Sequence, residues 1–319
     1  MLEGVVSTVI PVHNRPGLLT EAVGSVLVQR YPAIEIIIVD DGSTDETGSV
    51  AQDLARRHSV IRVVHRENGG PGLARETGRR QARGEFIQYL DSDDLLLAGK
   101  FEAQVHSLRA NPAAGVAYGY TSYRDEWGTL ALSRWKETGH VARRLFPSFL
   151  RERWWDTPTP LYRAGVCEAA GPWTALRVEE DWEYDCRVAA LGVGLSFVPR
   201  FVAEVRRHGA PHVSGRNDVA SLADRARAHE LILGHALRAG VERQGAEAGH
   251  FARELFLLAR QCGAVGLVAE SRRLVQLAQE AASPRPADVA AYRRLAGLVG
   301  WQRLGRWACW TDGLRGLKP

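Results

Sequence analysis

Cysteine is scarce in this sequence of 319 residues. Its four cysteines lie far apart and form no CxxC pair, so neither a zinc site nor a disulfide framework is indicated. No apolar run is long enough to span a bilayer, and the first residues lack the basic region and cleavage site of a secretory signal. We therefore expect a protein of the reducing cytoplasm.

Excess charge is also small. The formal net charge is +4, with 45% hydrophobic and 24% charged residues, which is typical of a globular protein and does not indicate a nucleic-acid partner. The excess lies in residues 285–319, which hold seven basic and two acidic residues together with Trp301, Trp307 and Trp310. A packed helix explains this segment, but it could instead contact a protein partner or lie peripherally on the inner face of a membrane.

Apolar runs and helical patterns alternate four times before residue 112. The expected strands are Val5–Val12, Ile34–Val39, Val60–Val64 and Phe86–Leu90, and each is followed by a helix, the first capped by Asn14. Short connections between strands and helices predict a doubly wound α/β sheet. Residues 113–215 mix strand-like runs (Val116–Tyr120, Ser196–Val198 and Phe201–Val205) with tryptophan-rich loops, and residues 216–319 are helical in pattern. We expect a nucleotide-binding half (1–112), an acceptor-binding half (113–215) and a helical region.

Three segments lie at the carboxyl ends of predicted strands. They are Pro11–Asn14, Asp40-Asp41 and Asp91-Ser92-Asp93-Asp94. Because ligands of such sheets bind at the carboxyl ends of the strands, this convergence predicts a binding site. Carboxylates there are suitable ligands for Mg²⁺ or Mn²⁺ with a diphosphate, although single aspartates also cap helices or form turns.

A second acidic cluster, Glu179-Glu180-Asp181, lies about ninety residues further on. Crowded carboxylates have raised pKa values and can act as a general base, but they are also favoured at the start of a helix. The sequence leaves both interpretations open. Trp154 and Trp155 are adjacent, and on an extended chain the two rings cannot both face inward, so one is expected to be exposed for contact with a sugar.

Five motifs occur in a familiar order. They are Val9-Ile10-Pro11-Val12-His13-Asn14-Arg15, Ile38-Val39-Asp40-Asp41-Gly42-Ser43-Thr44-Asp45, Asn68-Gly69-Gly70-Pro71 with Ala74-Arg75, Asp91-Ser92-Asp93-Asp94, and Gly171-Pro172-Trp173 before Glu180-Asp181-Trp182. Together they resemble the family 2 inverting glycosyltransferases of GT-A fold, over roughly residues 5–215. The resemblance implies a mixed α/β sheet flanked by helices, followed by a helical extension.

The resemblance also implies roles for individual residues. Asp41, with Asp40 behind it, would take the base and ribose of a nucleotide sugar, Asp93 would hold the divalent metal, and Asp181 would be the catalytic base. The implied nucleotide-sugar site comprises Pro11, Val12, Asn14, Asp40, Asp41, Gly69, Arg75, Asp91 and Ser92; His208 would join Asp93 at the metal, and Trp154, Trp155, Glu180 and Trp182 would lie on the acceptor side. Glu76 departs from the family pattern, which often has Asn there.

The implied activity is metal-dependent, inverting transfer of a sugar, most simply from a UDP-sugar, to a hydroxyl of a glycan, lipid-linked or small-molecule acceptor. Two alternatives remain at this point. A nucleotidyltransferase also uses strand-end carboxylates and a metal, but Pro11–Arg15 lacks the basic Gly-rich loop expected beside its first strand. A non-catalytic nucleotide-sugar-binding or scaffold protein would carry its function in the helical region.

Overall fold

The computed structural model describes residues 1–125, 127–131, 142–207, 218–284 and 286–314. The chain forms two compact units. The first, which we call the sheet unit, comprises Met1–Arg144, Trp154–Ala175 and Leu191–Pro211, and the second, the helical unit, comprises Leu145–Arg153, Leu176–Ala190 and His212–Pro319. Two segments of the predicted acceptor-binding half thus belong to the helical unit. The predicted functional division of the chain stays a prediction.

The sheet unit is built on one mixed sheet, which has nine strands within the described ranges, in the order β3-β2-β1-β4-β8-β6-β9-β5 with β7 beside β6. Its strands are β1 (Leu2–Val12), β2 (Ile34–Asp41), β3 (Ile61–Arg66), β4 (Gly84–Tyr89), β5 (Leu95–Leu96), β6 (Ala114–Arg124), β7 (Leu130–Ala131), β8 (Leu161–Arg163) and β9 (Gly194–Arg206). Strands β3, β2, β1 and β4 are parallel, whereas β8 is antiparallel to both β4 and β6. The four-strand parallel half confirms the alternation read from the sequence.

Five helices of the described chain belong to the sheet unit, and the first three of them connect its four neighbouring parallel strands. They are α1 (Pro16–Leu27), α2 (Thr47–Arg57), α3 (Pro71–Gln81), α4 (Lys100–Ala110) and α5 (Ala164–Ala170). Ile36, Ile37, Ile38 and Val39 are all fully buried, as expected for a parallel strand covered on both faces. Helix α3 approaches the sheet so closely that a Cβ built on Gly78 would lie 2.3 Å from Cγ1 of Val9.

Two local predictions are wrong. Asn14 does not cap α1: the capping position is Arg15, which makes no side-chain capping hydrogen bond. Asn14 instead has a left-handed backbone (φ 53°), and its Oδ1 accepts a hydrogen bond from Thr44 N–H (2.8 Å). The two strands expected between 196 and 205 are one strand, β9, because irregular pairing with β6 carries it past Pro199.

The helical unit contains the remaining helices of the described chain. They are a 3₁₀ turn (Ser148–Leu150), α6 (Glu180–Ala190), α7 (Val219–Arg238), α8 (Ala246–Val265), α9 (Val268–Ala281), α10 (Ala287–Val299) and α11 (Trp301–Leu314). The helical pattern predicted after residue 216 is confirmed, with apolar residues of α7, α8 and α9 buried on one face. Among the described helices, none combines the length and hydropathy needed to cross a membrane.

Candidate active site

Four parallel strands of the sheet unit, β1, β2, β3 and β4, end at one edge. Val12 of β1 pairs with Asp40 of β2, Asp40 pairs with His65 of β3, and Leu90 N–H, just after β4, donates to Val9 O (3.0 Å). The polar residues that follow these strands are therefore neighbours, as the sequence predicted. Pro11 and Val12 are the last two residues of β1, and both are buried. Asn14 connects the end of β1 to the loop after β2 by hydrogen bonds.

The cluster Asp91–Asp94 is interleaved with arginines of the sheet unit. Arg75 Nη2 lies 2.5 Å from Asp91 Oδ1, Arg15 forms an ion pair with Asp93, and Arg206 Nε donates to Asp93 O (2.6 Å). Ser92, between the two aspartates, is buried. The arginines neutralise much of the negative charge and fix the direction of each carboxylate.

Asp94 is the buried member of this cluster. Its Oδ1 accepts a hydrogen bond from Arg206 N–H at the end of β9 (3.1 Å). Burial, together with the charges of Asp93 and Asp91, raises the pKa of Asp94 well above its ordinary value. The uncharged form of the Asp94 carboxyl is thus favoured relative to an exposed aspartate.

Arg75 is held in place on a second side. Its guanidinium lies 4.9 Å from the ring centroid of Trp173, within cation–π distance, and Trp173 packs edge to face against Tyr89. Glu76, the departure from the family pattern, accepts hydrogen bonds from Arg79 and Arg80 and from Trp173 N–H. Glu76 therefore braces the loop that carries Trp173.

Asp41 organises the glycine-rich loop. Its carboxylate accepts hydrogen bonds from Gly69 N–H (3.0 Å) and Gly70 N–H (2.8 Å), and Arg66 Nη1 lies 3.3 Å from Oδ1. Asp41 is buried, so the two N–H groups that could face a phosphate are directed at a carboxylate of the protein. The roles predicted for Asp41 and Gly69 in nucleotide binding stay predictions.

Asp40 is directed away from Asp41. Its Oδ1 accepts from Ser43 N–H (3.0 Å), and His65 Nδ1 lies 3.0 Å from Oδ2. Burial alone would raise the pKa of Asp40, but the hydrogen bonds from Ser43 and the neighbouring His65 outweigh burial and lower it. Asp40 is therefore a charged support for the turn after β2.

The strand-end carboxylates fit a hard divalent cation. Asp91 and Asp93 carry carboxylate oxygens of the kind that hard cations prefer, and both carboxylates are only partly buried. Within the described ranges, no three His, Cys, Asp or Glu side chains form a ligand cluster. Mg²⁺-type sites in nucleotide enzymes commonly use one or two carboxylates and complete their coordination with substrate phosphates. His208, the second predicted ligand, lies outside the described residues.

Asp181 lies in the first turn of α6, in the helical unit. Arg153 Nη1 donates to its Oδ2 (2.6 Å), while Arg153 Nε donates to Asp185 Oδ2 (2.7 Å) one helical turn later. Oδ1 of Asp181 accepts from Trp182 N–H (2.7 Å). The side chain of Asp181 remains 29% exposed, whereas that of Asp185 is 1% exposed.

The aromatic residues predicted on the acceptor side are packed. Trp154 and Trp155 are 2% and 1% exposed, so the expectation that one ring is exposed is wrong: they lie in an irregular segment, where the alternation of a strand does not apply. Trp182 Nε1 donates to Phe149 O (2.8 Å) in the helical unit, and Glu180 is buried. An acceptor role for these four residues stays a prediction.

Comparison with known proteins identifies the family. The sequence profile described as glycosyl transferase family 2 matches residues 7–167, just over half of the chain. The chain belongs to glycosyl transferase family 2. Residues 7–167 thus form a glycosyltransferase family domain, which favours the predicted activity over the nucleotidyltransferase and scaffold alternatives.

Curated relatives are similar to less than half of this chain. An uncharacterized glycosyltransferase of Rickettsia felis is 40% identical over 148 residues, 46% of this chain and 24% of that protein. Glycosyltransferase GlyG of Streptococcus pneumoniae is 36% identical over 125 residues, 39% of this chain and 42% of that protein. The chain thus matches less than half of the length of these relatives.

Solved structures extend the likeness in fold to the whole chain. Residues 1–349 of Staphylococcus aureus TarS in complex with UDP-GlcNAc superpose with a TM-score of 0.69 at 18% identity, covering 98% of this chain and 92% of that one. A mannosyltransferase of Pyrobaculum calidifontis, in complex with GDP-Man and Mn²⁺, gives a TM-score of 0.53 at 19% identity, covering 99% and 88%. The predicted GT-A fold with a helical carboxyl-terminal region is confirmed.

The motifs did not reveal which arginines pair with the predicted site residues. Arg15 pairs with Asp93 from 78 residues away, and Arg153 bridges Asp181 and Asp185 across the helical unit. Arg153 lies in none of the motifs. Pairing between residues so far apart in the sequence leaves no periodic pattern from which it could be predicted. Only the placement of Asp181 and Asp185 one helical turn apart, on one face of α6, hinted at a shared partner.

Proposed function

We propose that this enzyme transfers a sugar from a UDP-sugar to a hydroxyl of a glycan, lipid-linked or small-molecule acceptor, with inversion at the anomeric carbon. The observation that supports the proposal is the edge of the sheet unit, where the ends of β1, β2 and β4 lie together. Three aspartates there pair with arginines: Asp93 with Arg15, Asp91 with Arg75 and Asp41 with Arg66. UDP-GlcNAc bound by TarS favours a UDP-sugar donor.

Each of these groups would have a separate role in the donor site. Asp93 would hold Mn²⁺ or Mg²⁺ with His208, and such a cation offsets charge on a departing diphosphate. Asp91, directed by Arg75, would face the ribose, and Asp41 with Asp40 would shape the pocket for the base. The Mn²⁺ of the mannosyltransferase structure is in keeping with this assignment.

Asp181 would be the general base. Its carboxylate accepts from Arg153 and Trp182 N–H and keeps an exposed surface, so an acceptor hydroxyl can approach it. Asp181 would take the hydroxyl proton as the oxygen attacks the anomeric carbon on the face opposite the diphosphate. Positioned general bases of this kind contribute about 10²- to 10⁴-fold in rate.

The test measures donor binding and donor cleavage separately. In a thermal-shift assay with Mn²⁺, UDP-GlcNAc should stabilise the wild type, because a ligand of the native state raises its stability by mass action. Asp93→Asn should lose this shift. Asp181→Asn should keep the shift but lose release of UDP, measured as slow hydrolysis in which water replaces the acceptor.

Asp53→Asn is the matched control, because Asp53 is an exposed carboxylate of α2 that pairs only with Arg56 and Arg57 in the described chain. It should retain both signals. UDP release that survives Asp181→Asn at the wild-type rate contradicts the base assignment. A shift with UDP-GlcNAc that is equal in wild type and Asp93→Asn contradicts the metal assignment.

The helix α11 supports peripheral binding to an anionic membrane. Arg303, Arg306, Trp307 and Trp310 are exposed and recur at three- and four-residue spacing, so they form one face. No described carboxylate lies within ion-pair distance of either arginine, and Leu298 of the adjacent α10 is 83% exposed. Tryptophan with uncompensated arginine is typical of helices that lie in a headgroup layer.

Vesicle flotation tests this surface. The wild type should float with phosphatidylglycerol vesicles and not with phosphatidylcholine vesicles, and the double change Trp307→Ser/Trp310→Ser should abolish flotation. Trp127→Ser, which removes an exposed tryptophan of the sheet unit, should have no effect. Equal flotation of all three proteins contradicts the proposal, and a concentration-dependent dimer lost in the double variant would assign the face to a second copy.

A further inference from the structure

The residue that precedes α6 has an unusual backbone. Glu179 lies in the left-handed region, with φ of 58°, a conformation that a residue with a Cβ adopts at a cost. Its carbonyl oxygen accepts a hydrogen bond from Glu183 N–H (3.0 Å), so Glu179 is the point at which the chain turns into the helix. Asp181 follows two residues later. Strained backbone of this kind persists only where the surroundings impose it.

Contacts of the Glu179 side chain with α7 hold this backbone conformation in place. Its Oε2 lies 3.0 Å from His229 Nδ1 and its Oε1 lies 3.5 Å from Arg225 Nε, both on α7. Asp224, also on α7, accepts from Arg177 N–H (3.0 Å) just upstream. Two consecutive residues of α7 and a third one turn later thus hold the segment that leads into α6.

His229 is itself fixed in a buried position. Its ring stacks on Phe251 at 5.3 Å and meets Trp182 edge to face at 5.4 Å. Both groups that face Nδ1, the Arg225 carbonyl and the Glu179 carboxylate, are acceptors, so Nδ1 carries the proton. Burial disfavours the charged ring, but Glu179, with a smaller contribution from Glu254 of α8, outweighs burial and raises the pKa of His229.

We infer that Glu179 is a positioning residue for Asp181. Its carboxylate, held by Arg225 and His229, sets the direction in which α6 begins, and the first turn of α6 then presents Asp181. This inference rests on the proposed role of Asp181 as general base. Glu179 would neither bind the donor nor take the proton.

A second contact between the same helices makes the effect local. Glu183 Oε1 lies 2.8 Å from His235 Nε2, and Arg187 pairs with Glu183. These groups keep α6 against α7 further along, so loss of the Glu179 contacts frees the first turn rather than the helix. The expected result is a misplaced Asp181 in an otherwise intact unit.

The test uses Glu179→Asn, because Asn accepts the left-handed backbone but is too short to reach α7. The kcat for release of UDP from UDP-GlcNAc with Mn²⁺ should fall by about 10- to 100-fold, while KM for the donor changes less than twofold. Glu179→Gly should do the same. A variant that merely damages the fold would instead lose donor binding and thermal stability together.

Glu230→Gln is the matched control. Glu230 is also on α7, has the same 26% side-chain exposure as Glu179, and likewise bonds two cations, Arg227 and Arg273. It should leave kcat and KM unchanged. Wild-type kcat in both Glu179 variants would overturn the inference, as would an equal loss in Glu230→Gln.

Hydrogen exchange gives a readout that needs no turnover. The protection factor of the Glu183 amide, which bonds Glu179 O, should fall at least tenfold in Glu179→Asn and stay unchanged in Glu230→Gln. Unchanged protection overturns the inference. Turnover that survives Asp181→Asn overturns the proposed base instead, so the two failures are distinguishable.

Discussion

Asp41→Asn is the sharpest test of how the donor edge is built. The carboxylate of Asp41 accepts hydrogen bonds from both Gly69 N–H and Gly70 N–H and is buried. An asparagine side chain of the same shape offers one oxygen, so it can satisfy one of these donors while its NH₂ group faces the other. The change therefore replaces one charge-assisted hydrogen bond with an unsatisfied buried donor.

The magnitude follows from these two losses. A hydrogen bond to a charged group contributes about 1.5–3 kcal/mol, and a buried donor without an acceptor costs about 1–3 kcal/mol. The contact with Arg66 is long, at 3.3 Å, and makes no hydrogen bond, so we assign it a small contribution. We expect Asp41→Asn to lower the free energy of unfolding by roughly 3 kcal/mol, which is a large part of the roughly 5–15 kcal/mol typical of a native protein.

Urea unfolding of the full chain measures the loss, and hydrogen exchange of the Gly69 and Gly70 amides locates it. Asp53→Asn is the control and should cost less than about 0.5 kcal/mol, because its ion pairs are at the surface. If Asp41→Asn left stability and both amides unchanged but weakened UDP binding, Asp41 would serve the nucleotide alone, and its role as a brace for the loop would be refuted.

Three further predictions concern stability, each read by urea unfolding. Gly78→Ala should destabilise the protein by about 1–2 kcal/mol, because overpacking against Val9 exceeds the gain in helix propensity. Gly24→Ala, with open space around its Cβ, should stabilise it by up to about 1 kcal/mol. Stability changes of the same sign in the two variants would refute this reasoning. Because the pKa of His229 is raised in the folded state, its contribution to the free energy of unfolding is complete below about pH 6.5 and is lost as the pH rises through the folded-state pKa. The loss of stability in His229→Gln should therefore shrink between pH 6 and pH 9. A loss that stays constant over this range would contradict the prediction. Arg153→Gln should cost about 3 kcal/mol, because it leaves a buried carboxylate of α6 without its guanidinium partner, and a neutral result would show that this ion pair is dispensable.

Much of the sheet unit follows from local patterns. Ile36–Val39 is apolar at every position and is fully buried, and Pro16 stands where a first helical turn accepts proline. The convergence of Asp40, Asp41 and Asp91 at one edge needed only parallel strands and short connections. These features depend on periodicity and chain direction, which the sequence carries explicitly.

Partner choice could not be predicted in the same way. Asp40 and Asp41 are adjacent and chemically identical, yet Asp41 holds the glycine-rich loop and Asp40 holds Ser43 and His65. Alternation along β2 separates the two side chains, but which groups meet them depends on loops from elsewhere in the chain. The burial of both Trp154 and Trp155 has the same origin, since it requires an irregular segment that no pattern announces.

The acidic residues before and within α6 differ in burial and in the groups that surround them. Glu180 is buried, and Glu183 is buried against His235. Glu179 faces two cations of α7, whereas Asp181 faces Arg153, which Asp185 also neutralises. Because Arg153 also pairs with Asp185, it neutralises less of the negative charge of Asp181 than an unshared arginine would. Asp181 therefore combines exposure with partial neutralisation, a combination suited to accepting a proton, and the sequence alone, which shows only adjacent carboxylates, could not distinguish it from its neighbours.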